Sequence, residues 1–168
     1  LHSGLPNPGM RRVLRQFAPI WGRSNLPVWP HLFGEPPEIA EMARILEDVE
    51  GVAALEISIP LEAAREDAFA LLQAAQGELP LIACLPLQLV HADWLSDLGF
   101  AGASALHLDA PRGALPYARG SLVRGRLYGA GLLPQALEGL QAAQKTGLPV
   151  LVGGGIETPA DGERLLAA

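Results

Sequence analysis

Six side chains capable of chemistry stand in short apolar runs, an unusual place for ionisable groups. They are His31, Glu56, Ser58, Cys84, His107 and Asp109. Glu56 and Ser58 are two apart, as are His107 and Asp109, so within an extended strand each pair shares a face. A carboxylate inside an apolar run must find a partner or water, because an unpaired buried charge is costly. Glu56 is therefore either a strand end reaching solvent or an acid–base group whose pKa its surroundings set. His31, Glu56, Cys84 and Asp109 fall at one level of four runs and offer nitrogen, oxygen and sulfur donors, so a metal site can be drawn from them. No short-range ligand signature supports that site.

Gly153-Gly154-Gly155-Ile156 supplies a different chemistry. Glycines let backbone amides approach a ligand closely, and a helix start adds free N–H donors and positive potential, which together suit phosphate. The other reading is a tight strand-to-helix turn with no ligand. Between residues 111 and 131, Arg112, Arg119, Arg124 and Arg126 make the most basic stretch. It has no sustained period and is long for a connection, which fits a solvated loop or an anion-contacting one.

The elements that must position these groups alternate. Apolar runs at Val28–Phe33, Ala53–Ile59, Leu81–Leu85, Ala105–Leu108 and Val150–Val152 read as strands. Helical periods lie between them at Glu38–Val49, Glu62–Ala75, Leu89–Leu98 and Leu132–Lys145, with a weaker one at Pro8–Phe17. A last helix opens at Thr158, with Pro159 at its first position and Asp161 placed for a capping box. Proline precedes three of the strands, in Leu26-Pro27-Val28, Leu79-Pro80-Leu81 and Leu148-Pro149-Val150. There it ends the preceding element without removing a ladder donor. Such alternation implies an α/β protein with parallel strands joined by helices, either an open sheet or part of an eight-stranded barrel.

Composition limits the function. The 168 residues, 49% hydrophobic and 18% charged, suit one domain with a sizeable core. A net charge of −6 argues against nucleic acid as the main ligand. No apolar run reaches the ~18 residues of a membrane span, and no signal-peptide pattern opens the chain. The single cysteine fits a reducing, cytoplasmic compartment. The chain starts at Leu1 and stops at Ala168 within a helical pattern, which reads as a piece of a longer protein.

Several segments together resemble the dihydroorotate dehydrogenase family of FMN enzymes. LHSGLPNPG at Leu1–Gly9 is similar to that family's LNSxGLxNPG, LPVWPHLFG at Leu26–Gly34 to PVIxxIFG, and AALEISIP at Ala53–Pro60 to VELNISCP. Leu79–Leu85 stands where the family has PVIVKLSP. Gly125–Leu137 resembles GGLSGPAIKPIAL, and Leu148–Leu166 resembles IPIIGVGGISSxEDALEFL. The order of these blocks covers nearly the whole chain. The resemblance implies a single, incomplete (β/α)8 barrel domain over residues 1–168, holding about strands three to seven. Such barrels usually take about 250 residues.

It also implies FMN held by Gly129, Gly153, Gly154 and Gly155 with Ser58 and Cys84, a substrate facing Asn7 and Asp109, and oxidation of a dihydropyrimidine such as dihydroorotate in pyrimidine biosynthesis, with a homodimer as the expected assembly. The departures bear on catalysis. Glu56 replaces an asparagine, Cys84 replaces a flavin-contacting lysine, and the loop carrying the family's cysteine or serine base is missing where Leu61 runs into Glu62. Glu56 is left as the candidate base. The alternative is a degenerate barrel that binds flavin or phosphate without catalysis.

Overall fold

The computed structural model describes residues 8–168. Five parallel strands form one sheet in the order β1 (His31–Leu32), β2 (Leu55–Ser58), β3 (Leu81–Pro86), β4 (Ala103–Asp109) and β7 (Val150–Val152). A separate antiparallel hairpin, β5 (Arg112–Pro116) and β6 (Leu122–Arg126), is inserted after β4. Five α-helices accompany them: α1 (Met10–Trp21), α2 (Pro36–Glu47), α3 (Arg65–Ala74), α4 (Leu133–Ala143) and α5 (Pro159–Ala167). The sheet strands follow chain order without a reversal, so the sheet has no topological switch point of the kind that marks a doubly wound fold.

The strand period of two divides the sheet into unlike faces. Leu32, Leu55, Ile57, Leu81, Ala83, Leu85, Leu106 and Leu108 are buried in one cluster with Ile39, Leu46, Ala68, Leu72 and Ala143 from α2, α3 and α4. Met10, Leu14 and Trp21 of α1 pack on the same cluster, and Leu165 of α5 joins Ala136 and Leu140 of α4 beside Val150 and Val152. The helices thus load one face. Glu56, Ser58, Cys84, His107 and Asp109 alternate with those core residues and occupy the other face. Parallel sheets are normally covered on both sides by apolar contacts; here one side carries acid, thiol and imidazole.

The expected strands and helices are present with shifted ends, and three segments differ. Val28–Phe33 shrinks to a two-residue strand plus a bridge from Val28 to Val52, because Pro27 and Pro30 offer no N–H and confine the segment to the sheet edge. Leu89–Leu98 is not an α-helix but two 3-10 turns, Leu87–His91 and Leu95–Asp97, separated by an extended Ala92. The stretch 111–131, expected as irregular connection, folds its first part into the β5–β6 hairpin. Its residues are mostly exposed on both faces, so no apolar alternation marks it in the sequence. The α5 start matches its reading: the Thr158 side chain accepts from Asp161 N, and the Asp161 carboxylate accepts from Thr158 N.

Candidate functional site

The site grows from strand register. His31 pairs with Glu56 across β1 and β2, and Ser58, Cys84 and His107 form the next row across β2, β3 and β4. All therefore project from one face. Glu56 sits between two imidazoles. Its Oε2 lies 2.5 Å from His31 Nδ1, and its Oε1 is hydrogen-bonded to His107 Nδ1. Glu56 and His107 meet across β3, where Glu56 is in register with Ile82 and His107 with the small Cys84, 2% exposed.

Electrostatics follows from this clamp. Burial pulls the Glu56 carboxyl upward, but hydrogen bonds and charge from His107 and His31 outweigh it and hold the group at about 2. The bond to Glu56 raises His107 above its ordinary value against the opposing effect of burial. Burial pushes the Cys84 thiol up, and the nearby Glu56 and Asp109 carboxylates push it further. At neutral pH the face carries an ionised carboxylate, an imidazole that favours its proton, and a neutral thiol.

Asp109, at the C-terminal end of β4, belongs to a second cluster. Its Oδ2 takes Arg112 Nη2 and Arg126 Nη2, each at 2.9 Å, and its Oδ1 accepts from Ala110 N at 2.8 Å. Gln88 adds reciprocal bonds to the Arg112 backbone at 3.1 and 2.7 Å. Asp109 thereby clamps the hairpin onto the end of the sheet. Between the hairpin and the end of β2 lies a cleft of about 360 Å³ whose lining includes Ser58, Glu62, Arg112, Arg124 and Arg126. Charge-assisted bonds of this kind are roughly twice as strong as neutral ones. Asp109→Ala should cost about 1–2 kcal/mol and speed hydrogen exchange across residues 112–126. Unchanged exchange there would mean the hairpin is held by something else.

The glycine segments also converge. Gly155 lies at φ +74, and a Cβ built there would stand 2.3 Å from Leu133 N, so the loop after β7 touches the start of α4. Gly129, at φ +133, opens the 3-10 turn that leads into that helix. Gly153 and Gly154 border open space. The amide of Ala130 already receives an anion, the Glu157 carboxylate at 3.1 Å.

The structure brings together His31, Glu56 and Cys84, and separately sets Gly155 against Leu133, at the start of the helix that the Gly129 turn leads into. It does not bring Asp109 to the Glu56 cluster: Asp109 is engaged by two arginines, and His107 stands in that place. Glu56 is not a strand end free in solvent, since both its oxygens are bonded. Asn7 lies outside the described residues. The sequence reading placed His107 and Asp109 on one face but gave His107 no partner. His107 reaches Glu56 from the next row of the sheet, a meeting that only strand register reveals. The arginines stand out individually in the sequence, but the hairpin that gathers them does not.

The fold and site together define an α/β protein with a five-stranded parallel sheet, one face helix-packed and the other carrying titratable groups. Among the described residues no helix is long and apolar enough to cross a membrane. No protein-family model matches the chain, and no curated protein matches it.

Proposed function

We propose that the chain is the central part of a (β/α)8 barrel of the dihydroorotate dehydrogenase type, which binds FMN and oxidises a small dihydropyrimidine such as dihydroorotate. The observation that carries this reading is the contact of Gly155 with Leu133 at the start of α4, which joins the two segments that the resemblance assigns to the flavin phosphate. Such phosphate sites sit at the C-terminal ends of barrel strands, after the late ones. The chain-order sheet is compatible with an arc of a barrel. A cytoplasmic, homodimeric protein belongs to the same reading.

The residues present fit the phosphate end of FMN better than its ring. Gly153 and Gly154 leave space that a Cβ would fill, beside the start of α5. Ser58 and Cys84, paired in register, are the residues the resemblance sets against the ring. Cys84 supplies no positive charge where the family has lysine. When bound, FMN supplies the acceptor for the hydride leaving the substrate. The protein's part is the other proton. His31, Glu56 and His107 form a hydrogen-bonded chain on this face, with Glu56 ionised and able to steady a proton on the His107 imidazole. Arg124, with Arg112 and Arg126, gives the adjoining cleft a preference for an anionic substrate.

Gly153→Ala tests the reading cleanly, because that position has open space and no positive φ. FMN affinity, followed by flavin fluorescence quenching, should fall tenfold or more while the melting temperature stays within about 2 °C. Equal affinity in the variant, or no FMN uptake by the parent chain, would reject the phosphate assignment.

A second reading, binding without catalysis, is favoured by one observation. The segment Pro60–Ala64 between β2 and α3 contains no serine or cysteine to serve as the family's base. Flavin that binds yet does not bleach with dihydroorotate would select it.

A further inference from the structure

The cluster around Glu56 holds more donor chemistry than proton transfer uses. One nitrogen of His31, one carboxylate oxygen of Glu56 and the Cys84 sulfur all lie within 4.8 Å of one another. His31 Nε2 is buried and has no hydrogen-bond partner, whereas Nδ1 faces Glu56. An orphaned imidazole nitrogen is a standing cost unless something fills the position. The three ligands come from adjacent strands, β1, β2 and β3, so the ladder fixes their relative height. His107 bonds the second oxygen of Glu56, the kind of outer contact that orients a ligating carboxylate.

We propose that His31, Glu56 and Cys84 form a zinc site, three protein ligands with the fourth position open to water or a small anion. Zinc–ligand bonds of about 2.0–2.3 Å place tetrahedral donors roughly 3.3–3.8 Å apart, so His31 and Glu56 must give up their 2.5 Å bond and reorient before both hold one ion. A nitrogen–oxygen–sulfur set of this kind suits a borderline-soft ion and disfavours magnesium or calcium, which take oxygen donors. The thiol releases its proton to solvent as the metal binds, and the ion's charge stabilises the thiolate and offsets the carboxylates that now oppose it. The site shares Cys84 with the flavin reading and Glu56 with its proton chain, so its probe is the metal alone, in the absence of FMN.

The test uses the 168-residue chain, stripped with chelator and then loaded with zinc or cobalt. After gel filtration the parent should retain one metal per chain. The cobalt form should show a near-ultraviolet thiolate-to-cobalt band, and zinc should raise its melting temperature. Cys84→Ser should abolish the band and weaken zinc binding at least tenfold. His31→Gln, at the sheet edge, should weaken it similarly and serves as the second variant if the buried change impairs folding. Retention of no metal by the folded parent overturns the site. So does a cobalt spectrum unchanged in Cys84→Ser.

Discussion

Glu56→Gln should lower the stability of the metal-free protein by about 2 kcal/mol at pH 6 and bring His107 back toward an ordinary histidine. Removing one partner of a fully enclosed ion pair costs roughly 3–5 kcal/mol, and the solvent that still reaches Glu56 reduces that figure. For a chain of this size the loss corresponds to a fall of about 4–8 °C in melting temperature. Both imidazoles lose their carboxylate together. The glutamine amide can accept from one ring but must offer N–H to the other, so one contact becomes donor against donor unless that ring changes tautomer.

The pH dependence separates this ion pair from mere packing. Glu56 is lower in the folded protein than in the unfolded chain, so its contribution is complete above 4.5 and fades as pH falls from there toward about 2. His107 is raised, so its contribution is complete below 6.5 and is lost as pH climbs through its folded value. Both are fully present between about 4.5 and 6.5, and the gap between parent and variant should be widest there. Chemical denaturation across pH, with histidine resonances followed by NMR, measures both. A gap independent of pH would show that Glu56 acts by shape alone. If the dehydrogenase reading is right, the same variant loses on the order of a hundredfold in turnover, because the hydrogen-bonded chain that handles the proton is cut.

These expectations show what the sequence makes legible. The α/β alternation was readable because buried strands and one-sided helices leave distinct periods, and Thr158, Pro159 and Asp161 announced the last helix by local chemistry alone. The Glu56 partnership was not readable. His31 lies on the strand before Glu56, beyond a helix, and His107 lies two strands further on. Only the ladder decides that they meet at one carboxylate. The hairpin carrying Arg112, Arg124 and Arg126 was hidden for the opposite reason: with both faces exposed, selection for alternation is absent. Asp109 is legible at its strand end, but the two arginines that engage it come from that hairpin, which the sequence does not announce. The glycine segments were legible as motifs, while their contact with each other was not.

That contact makes the second large prediction. Gly155→Ala should destabilise the protein by about 3–4 kcal/mol. A non-glycine residue at a left-handed position costs about 1–2 kcal/mol, and Gly155 sits at φ +74. The added Cβ would also stand 2.3 Å from Leu133 N and 2.7 Å from Leu133 Cα. These are backbone atoms at the start of α4, so no rotamer change relieves the overlap, and the loop must move away from the helix at a further cost of about 2 kcal/mol. Gly154→Ala, at φ +115 with open space around it, should show the conformational cost alone, and Gly153→Ala almost none. The order of melting temperatures across the three variants is therefore fixed by geometry: lowest at Gly155, intermediate at Gly154, near parental at Gly153. Equal stability of the Gly155 and Gly153 variants would mean that the two loops do not touch, and the argument for a shared phosphate site would fall with the contact. FMN affinity should not follow that order. Gly155→Ala would weaken binding by shifting the loop, whereas Gly153→Ala weakens it only if the phosphate occupies the space its Cβ enters. A loss of affinity at Gly153 without a loss of stability is the combination that packing cannot produce.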